Sequence, residues 1–142
     1  MSKVSAILAR KAQSLIAISI EATVFHALEL MAEKNIGSLV VLDKEKYMGI
    51  MTERDYARKV VLENKHSTDV SVGSIMSTDL PSVSPDDTVE HCMELMSDKN
   101  IRYLPVFEGG DLKGIISISD VVTETIRQQR ETISHLKSYI QS

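Results

Sequence analysis

The chain has 142 residues, of which 43% are hydrophobic and 25% charged. These values are typical of one folded globular domain and exclude an intrinsically disordered chain. The net charge of −4 argues against nonspecific nucleic-acid binding, which needs a basic surface. No apolar run approaches the ~20 residues that cross a bilayer, so no membrane association is expected.

The amino-terminal segment, residues 1–19, lacks the long apolar stretch and cleavage site of a secretory signal. The single cysteine, Cys92, excludes an internal disulfide and is typical of a reducing compartment. The cytoplasm is therefore the predicted location.

The first half of the chain predicts the order strand, helix, strand, strand, helix. A short apolar run at Leu15–Ser19 predicts the opening strand, and a helix is expected from Thr23 to about Asn35. The β-branched run Ser38–Leu42 and the segment Tyr47–Thr52 predict two further strands, the second of which enters a helix at about Glu53–Glu63.

The polar segment Ser67–Ser74 is predicted to join this half to a second one with the same order of elements. Leu80–Val83 predicts the opening strand, and a helix follows in which Val89, Cys92, Met93 and Met96 form one apolar stripe. Strands are expected at Tyr103–Phe107 and at Leu112–Ser117. Pro105 cannot donate to a sheet ladder, so its strand is expected to be an edge or to end early.

The last helices are expected at about Ile118–Gln129 and in the tail from Ile126 onward. Apolar residues in the tail recur at near-heptad spacing, which predicts an amphipathic helix. Such a helix needs a cover, supplied either by a second subunit or by the body of the same chain. The predicted divisions are 1–66 and 67–128 for the two halves and 129–142 for the tail.

The two halves are copies of one motif. Residues Ser19–Ala57 align without a gap to Ser84–Val122 at a constant offset (84 − 19 = 65), and 15 of 39 positions are identical. Each copy is marginal as an independent core, so the copies are expected to pack together with pseudo-twofold symmetry. Chemistry retained in both copies is expected in the clefts where they meet.

One such retained element is a turn from strand into helix, Gly49–Asp55 in repeat 1 and Gly114–Asp120 in repeat 2. Its hydroxyl, Thr52 or Ser117, falls where backbone N–H groups lack helical partners, which favours a phosphate. Its aspartate, Asp55 or Asp120, could accept both hydroxyls of a ribose. The same spacing is also that of a capping box, which only satisfies the helix end, so both interpretations stay open.

These doubled motifs resemble a tandem pair of cystathionine-β-synthase (CBS) domains, also called a Bateman module, over about residues 4–128. The resemblance implies a mixed α/β (α+β) fold of two βαββα motifs in pseudo-twofold arrangement, followed here by the carboxyl-terminal helix. It also implies adenosyl ligands (AMP, ADP, ATP, NAD(H)-type dinucleotides or S-adenosylmethionine) and a homodimer. Modules of this family regulate other proteins, so no catalytic activity is expected.

The resemblance also implies roles for particular residues, by their positions in the two repeats. Thr52 and Ser117 would contact phosphate, and Asp55 and Asp120 the ribose. Two pairs at the start of a predicted strand would line the pockets, namely Gly37 with Ser38 and Arg102 with Tyr103. Adenine would lie against the opening strands, near Ile16 in one cleft and Pro81 in the other.

The repeats differ at several of these positions. Repeat 1 carries Arg54 where repeat 2 has Ser119, and repeat 2 carries Arg102 where repeat 1 has Gly37. Arg102 can recognise phosphate through its planar guanidinium. Arg58 and Lys59 either serve a diphosphate or form a solvated helix face. The two sites are therefore expected to differ in affinity.

Three functions are compatible with these features. The favoured one is a nucleotide sensor that signals in trans to a regulated protein of unknown identity. The second is an interaction module without a ligand, in which the turns are only helix caps. The third is a nucleotide hydrolase, which is disfavoured because no nucleophile, base or metal set is evident.

Overall fold

A computed structural model describes residues 2–11 and 15–141. In chain order the elements are α1 (Val4–Arg10), β1 (Ala17–Ser19), α2 (Val24–Lys34), β2 (Ser38–Asp43), β3 (Lys46–Thr52), α3 (Glu53–Tyr56), a π-helical segment (Ala57–Val61), α4 (Val72–Ile75), α5 (Val89–Lys99), β4 (Tyr103–Glu108), β5 (Asp111–Ser117) and α6 (Ile118–Gln141). This mixed α+β architecture confirms the predicted fold class.

The chain divides into two compact units. One unit is Ser14–Leu80, and the other joins Met1–Gln13 to Pro81–Ser142. The amino-terminal helix α1 therefore folds with the second repeat, whereas the division predicted from the sequence places it with the first.

The unit Ser14–Leu80 contains a three-stranded sheet in the order β1-β2-β3. β1 runs parallel to β2, and β2 runs antiparallel to β3. The pairing of Ser38 with Thr52 places the beginning of β2 beside the end of β3. Buried residues of α2, β2 and β3 form the core, among them Val24, Leu39 and Met51.

The other unit contains a two-stranded sheet in which β4 and β5 are antiparallel and Tyr103 pairs with Ser117. Pro105 lies within β4, which is an edge strand as predicted but does not end early. The opening strand predicted at Leu80–Val83 is wrong, since only one parallel bridge forms there, between Val83 and Val106. Pro81 in that segment has no N–H to extend a ladder.

The helices α2 and α5 have equivalent ends, as predicted from the repeat. Thr23 and Thr88 cap their amino ends, and each hydroxyl accepts a hydrogen bond of 3.1 Å from the backbone N–H three residues later. Asn35 and Asn100 end them with φ of 54° and 53°. Asparagine tolerates this left-handed conformation, so it stops a helix at a defined residue.

Three predictions about the remaining helices are corrected. The helix expected at Glu53–Glu63 is α-helical only to Tyr56 and then π-helical to Val61. The tail is not a separate helix, because no glycine or proline interrupts α6 between Ile118 and Gln141. The polar segment Ser67–Ser74 runs into α4, whose Val72 and Ile75 are buried in the core.

The amino-terminal helix α1, which the sequence analysis did not predict, supplies core side chains. Val4 and Ile7 are buried among Cys92, Leu104 and neighbouring residues. At its last turn, Arg10 forms an ion pair with the carboxylate of Glu124 on α6. Both apolar and ionic contacts therefore join α1 to the second repeat.

Gly49 permits a close backbone approach that a larger residue would prevent. A Cβ at this position would lie 2.6 Å from the carbonyl oxygen of Ser77, whereas among the described residues one at the equivalent Gly114 would meet only a Leu8 methyl at 3.1 Å. Ser77 cannot move easily, because its backbone makes two hydrogen bonds with Ile50, of 3.0 and 2.8 Å.

We therefore expect Gly49→Ala to lower the free energy of unfolding by about 1–2 kcal/mol, as overpacking of a fixed site does. The matched variant Gly114→Ala should cost about half as much or less, because a leucine methyl can shift. Urea denaturation of both variants checks this difference. Equal midpoints for the two would show that the approach of Ser77 is not rigid.

Candidate functional site

The turn of the first repeat is a complete capping box. The hydroxyl of Thr52 accepts a hydrogen bond of 3.0 Å from the Asp55 backbone N–H, and the Thr52 backbone N–H donates one of 3.0 Å to Oδ2 of Asp55. Both residues therefore satisfy the amino end of α3, as the simpler of the two interpretations predicted.

Asp55 does more than cap this helix. Its Oδ1 accepts a hydrogen bond of 2.9 Å from the Ser77 hydroxyl and lies 2.9 Å from Nζ of Lys59. Lys59 also donates to the carbonyl oxygen of Ile75 at 2.8 Å. Both oxygens of the Asp55 carboxylate, which is only 5% exposed, are thus engaged within its own unit.

The turn of the second repeat has the same box but a more accessible carboxylate. The Ser117 backbone N–H donates to Oδ2 of Asp120 at 2.8 Å, and the Asp120 N–H donates to the Ser117 hydroxyl at 3.1 Å. Oδ2 also accepts from Nζ of Lys11 at 2.9 Å. Oδ1 makes no hydrogen bond to the residues that the structure describes, and the side chain is 24% exposed.

The predicted strand-end residues lie beside these turns. The Gly37 carbonyl oxygen accepts a hydrogen bond of 3.1 Å from the Glu53 N–H at the start of α3, and Ser38 pairs with Thr52. In the second repeat, the Arg102 carbonyl accepts one of 2.8 Å from the Ile118 N–H, and Tyr103 pairs with Ser117. Each unit thus brings four of its predicted site residues to one end of its sheet.

The residues predicted to contact adenine lie near the same sheet ends. Ile16 precedes β1, and its carbonyl oxygen accepts a hydrogen bond of 3.3 Å from the Val40 N–H, near the start of β2. Pro81 lies two residues before the Val83–Val106 bridge, close to the start of β4 in that register. Both side chains are half-buried.

The charged residues that distinguish the repeats have different surroundings. Arg54 is half-buried in the first turn of α3, whereas its counterpart Ser119 is exposed on α6. Arg102 is exposed. Lys59 is not part of a purely solvated face, because it is held by Asp55 and by the backbone of Ile75.

Sequence reasoning missed Lys11 and Ser77, which contact the two aspartates. Both lie a few residues before the segment predicted to open a repeat, Lys11 before Leu15–Ser19 and Ser77 before Leu80–Val83. The segment before each repeat therefore contacts the turn of the other repeat. Extending the alignment upstream of Ser19 could have indicated this, but it could not have identified which atoms meet.

The chemistry of these turns is that of polar recognition. In each turn a lysine ammonium lies within hydrogen-bonding distance of the aspartate carboxylate, and the hydroxyl three residues earlier accepts a hydrogen bond from the aspartate backbone N–H. Within residues 2–11 and 15–141, no group of three or more histidine, cysteine or acidic side chains could hold a metal ion. None of the helices described is both long and apolar enough to span a bilayer.

Comparison with known sequences assigns the chain to a family. The family model of the CBS domain matches residues 4–62 and again 72–127. The chain therefore belongs to the CBS-domain family and contains a tandem pair, which confirms the predicted resemblance. CBS-domain pairs are regulatory modules.

Individual relatives agree with this assignment. The chain is 38% identical over 124 residues to the CBS domain-containing protein CBSX3, mitochondrial, of Arabidopsis thaliana. The aligned region covers 84% of this chain and 60% of that protein. The chain thus spans less than two thirds of that relative's length. A solved signal-transduction protein with CBS domains from Burkholderia ambifaria is 41% identical with a TM-score of 0.86, over 90% of this chain and 96% of that one.

A more distant structure shares the fold. The CBS-domain pair of protein MJ0100 is 24% identical with a TM-score of 0.76, over 90% of this chain and 98% of that one. That protein was solved in complex with 5′-methylthioadenosine and S-adenosyl-L-methionine.

Proposed function

We propose that this CBS-domain pair is a regulatory module that binds an adenosyl ligand at its hydroxyl–aspartate turns. AMP, ATP and NAD(H)-type compounds are the favoured ligands, and S-adenosylmethionine belongs to the same class. The proposal is supported by the family assignment and by the adenosyl ligands of the MJ0100 pair. The observation in this chain that carries it is the partly exposed Oδ1 of Asp120, which makes no hydrogen bond to residues 2–11 and 15–141.

In the second repeat, the proposed roles follow from the chemistry of each group. Oδ1 of Asp120 can accept a ribose hydroxyl without losing a bond to any of the described residues. Lys11 and Arg102 can supply positive charge for phosphate, the lysine as a point charge and the arginine in a planar, multidentate manner. Ser117 can donate its hydroxyl proton, while Pro81 and Tyr103 offer apolar surface to a base.

The first repeat is proposed to bind more weakly. A ribose that approached Asp55 would have to displace Ser77 or Lys59 from a buried carboxylate. Breaking such a bond costs free energy that the ligand must offset. Unequal affinity of the two repeats was predicted from Arg54, Ser119 and the strand-end residues, and the contacts of Asp55 supply a further physical reason.

Replacing Asp120 tests this function. We expect Asp120→Ala to weaken adenosyl-ligand binding by tenfold or more, because a charged acceptor is worth about 1.5–3 kcal/mol. Isothermal titration calorimetry with AMP, ATP, NAD, NADH and S-adenosylmethionine measures the change, after a thermal-shift screen has identified the ligand that stabilises the parent.

The matched control is Thr123→Ala, an exposed residue one turn further along α6. It should leave the Kd unchanged. Parent-like affinity of Asp120→Ala for every stabilising ligand would contradict the site assignment, and a parent protein that no adenosyl compound stabilises at millimolar concentration would contradict the function itself.

A second candidate is an interaction module that needs no ligand. The complete capping boxes at both turns favour it, since they account for the retained hydroxyls and aspartates by helix stability alone. The thermal-shift screen separates the two candidates.

The signal is proposed to pass in trans to a separate regulated protein, with the module acting as a homodimer and without catalysis of its own. A ligand would act by favouring one arrangement of the module over another. The cytoplasm stays the predicted location, although the Arabidopsis relative is named as mitochondrial.

A further inference from the structure

The second half of α6 carries apolar side chains that nothing in the described chain covers. Every residue from Gln129 to Gln141 is exposed. Three of these residues are large and apolar, namely Ile133, Leu136 and Ile140, and they are 52%, 57% and 79% exposed. An isolated helix of this length is marginal in water, so an uncovered apolar stripe is an unstable arrangement.

The stripe has the spacing of a coiled-coil seam. Ile126, Ile133 and Ile140 recur every seven residues, at the a positions of a heptad. The corresponding d positions are Val122, Gln129 and Leu136. Five of these six positions hold an exposed apolar residue. Because a and d positions share one side of a helix, these residues form one stripe.

We propose that α6 pairs with α6 of a second copy of this chain in a parallel, two-stranded coiled coil. β-Branched isoleucine at a favours two parallel strands where leucine occupies d, as Leu136 does here. Gln129, the polar residue at a d position, would face its own counterpart across the axis.

The charges beside the seam decide between the two orientations. Arg130 and Lys137 occupy e positions, and the g positions Thr125 and Thr132 are uncharged. An antiparallel pair would bring e residues of both helices together, so Arg130 and Lys137 would repel one another. A parallel pair places each e residue beside a g residue, Arg130 beside Thr125 and Lys137 beside Thr132 of the other copy, and avoids that repulsion.

A pair of cysteine variants tests the proposal. In a parallel, in-register pair, Gln129→Cys places two thiols across the axis within reach of a disulfide. Ser138→Cys, at the outward f position, does not. The native Cys92 should stay silent, because it is fully buried and burial raises the pKa of its thiol to about 11.

After oxidation with diamide at micromolar protein concentration, non-reducing gels should show Gln129→Cys mainly as a covalent dimer. Ser138→Cys and the parent should remain mainly monomeric on the same gels. Equal cross-linking of the two variants, or none, overturns the proposal.

Analytical ultracentrifugation gives an independent measure without any cysteine. Ile133→Lys should raise the dimer dissociation constant at least tenfold, while circular dichroism confirms that the body stays folded. If α6 instead bound a different protein, Ile133→Lys would leave the dissociation constant of the purified dimer unchanged, or the purified parent would be monomeric, and either result also overturns the proposal. Neither experiment depends on nucleotide binding.

Discussion

Asp55→Ala is expected to lower the free energy of unfolding by about 3–5 kcal/mol. The substitution removes a helix cap, worth about 1 kcal/mol. It also removes the acceptor of Ser77 and the counter-charge of Lys59, and hydrogen bonds to a charged group contribute about 1.5–3 kcal/mol each. Urea denaturation followed by circular dichroism measures the loss.

Two matched variants separate these contributions. Asp120→Ala removes the equivalent cap and one lysine contact at a more exposed carboxylate, so it should cost only about 1–2 kcal/mol. Asp55→Asn keeps an acceptor for Thr52 and Ser77 but loses the charge, and it should fall between the parent and Asp55→Ala. Equal losses for Asp55→Ala and Asp120→Ala would show that the contacts of Asp55 with Ser77 and Lys59 contribute little.

This asymmetry bears directly on the proposed function. If Asp55 mainly stabilises the fold, its substitution lowers stability with little direct effect on ligand affinity. Substitution of Asp120 should instead weaken ligand binding, with a smaller loss of stability. The two aspartates occupy equivalent positions in the sequence repeat, yet the proposed roles differ because their surroundings differ.

Arg10→Met is the second substitution with a large expected effect, and it should lower the free energy of unfolding by about 3 kcal/mol. The carboxylate of Glu124 is 1% exposed, and neither of its oxygens accepts a hydrogen bond of good geometry from the described residues. Its compensation comes from the ion pairs with Arg10 and, at 3.5 Å, with Arg127. Removing one partner of a buried ion pair leaves an uncompensated charge, which costs about 3–5 kcal/mol, here reduced because Arg10 is partly exposed.

The double variant Arg10→Met/Glu124→Leu distinguishes charge from packing. Replacing both members of a buried pair by apolar residues is often neutral, so this variant should recover most of the lost stability. Arg127→Gln is the control, and it should cost under about 1 kcal/mol because that side chain is half exposed. A double variant no more stable than Arg10→Met would mean that Arg10 acts through packing alone.

The sequence predicted the repeat-level elements well because their signals are local. The apolar stripes of α2 and α5 follow the helical period, and Asn35 and Asn100 stop the two helices at equivalent residues. The capping boxes also depend on residues three positions apart, so both were visible in the sequence. The missing opening strand of the second repeat was a local error, since Pro81 already lacked the N–H that a strand uses.

What the sequence could not supply was the partner of each aspartate. Lys11 is 109 residues from Asp120, and Ser77 is 22 residues from Asp55. Such contacts depend on how the chain returns to a distant turn, and no periodicity or spacing encodes that path. The same holds for α1, whose side chains find their core in the second repeat rather than in the adjacent first one.

The amino-acid sequence by itself determined the duplication, the order of elements and the chemical identity of the two turns, because these follow from short-range pattern and residue type. Only the tertiary structure decided that one aspartate is buried and bonded through both oxygens, while its counterpart has an oxygen that none of the described residues engages. Duplication copies residues, but burial and hydrogen bonding depend on the neighbours that distant segments bring.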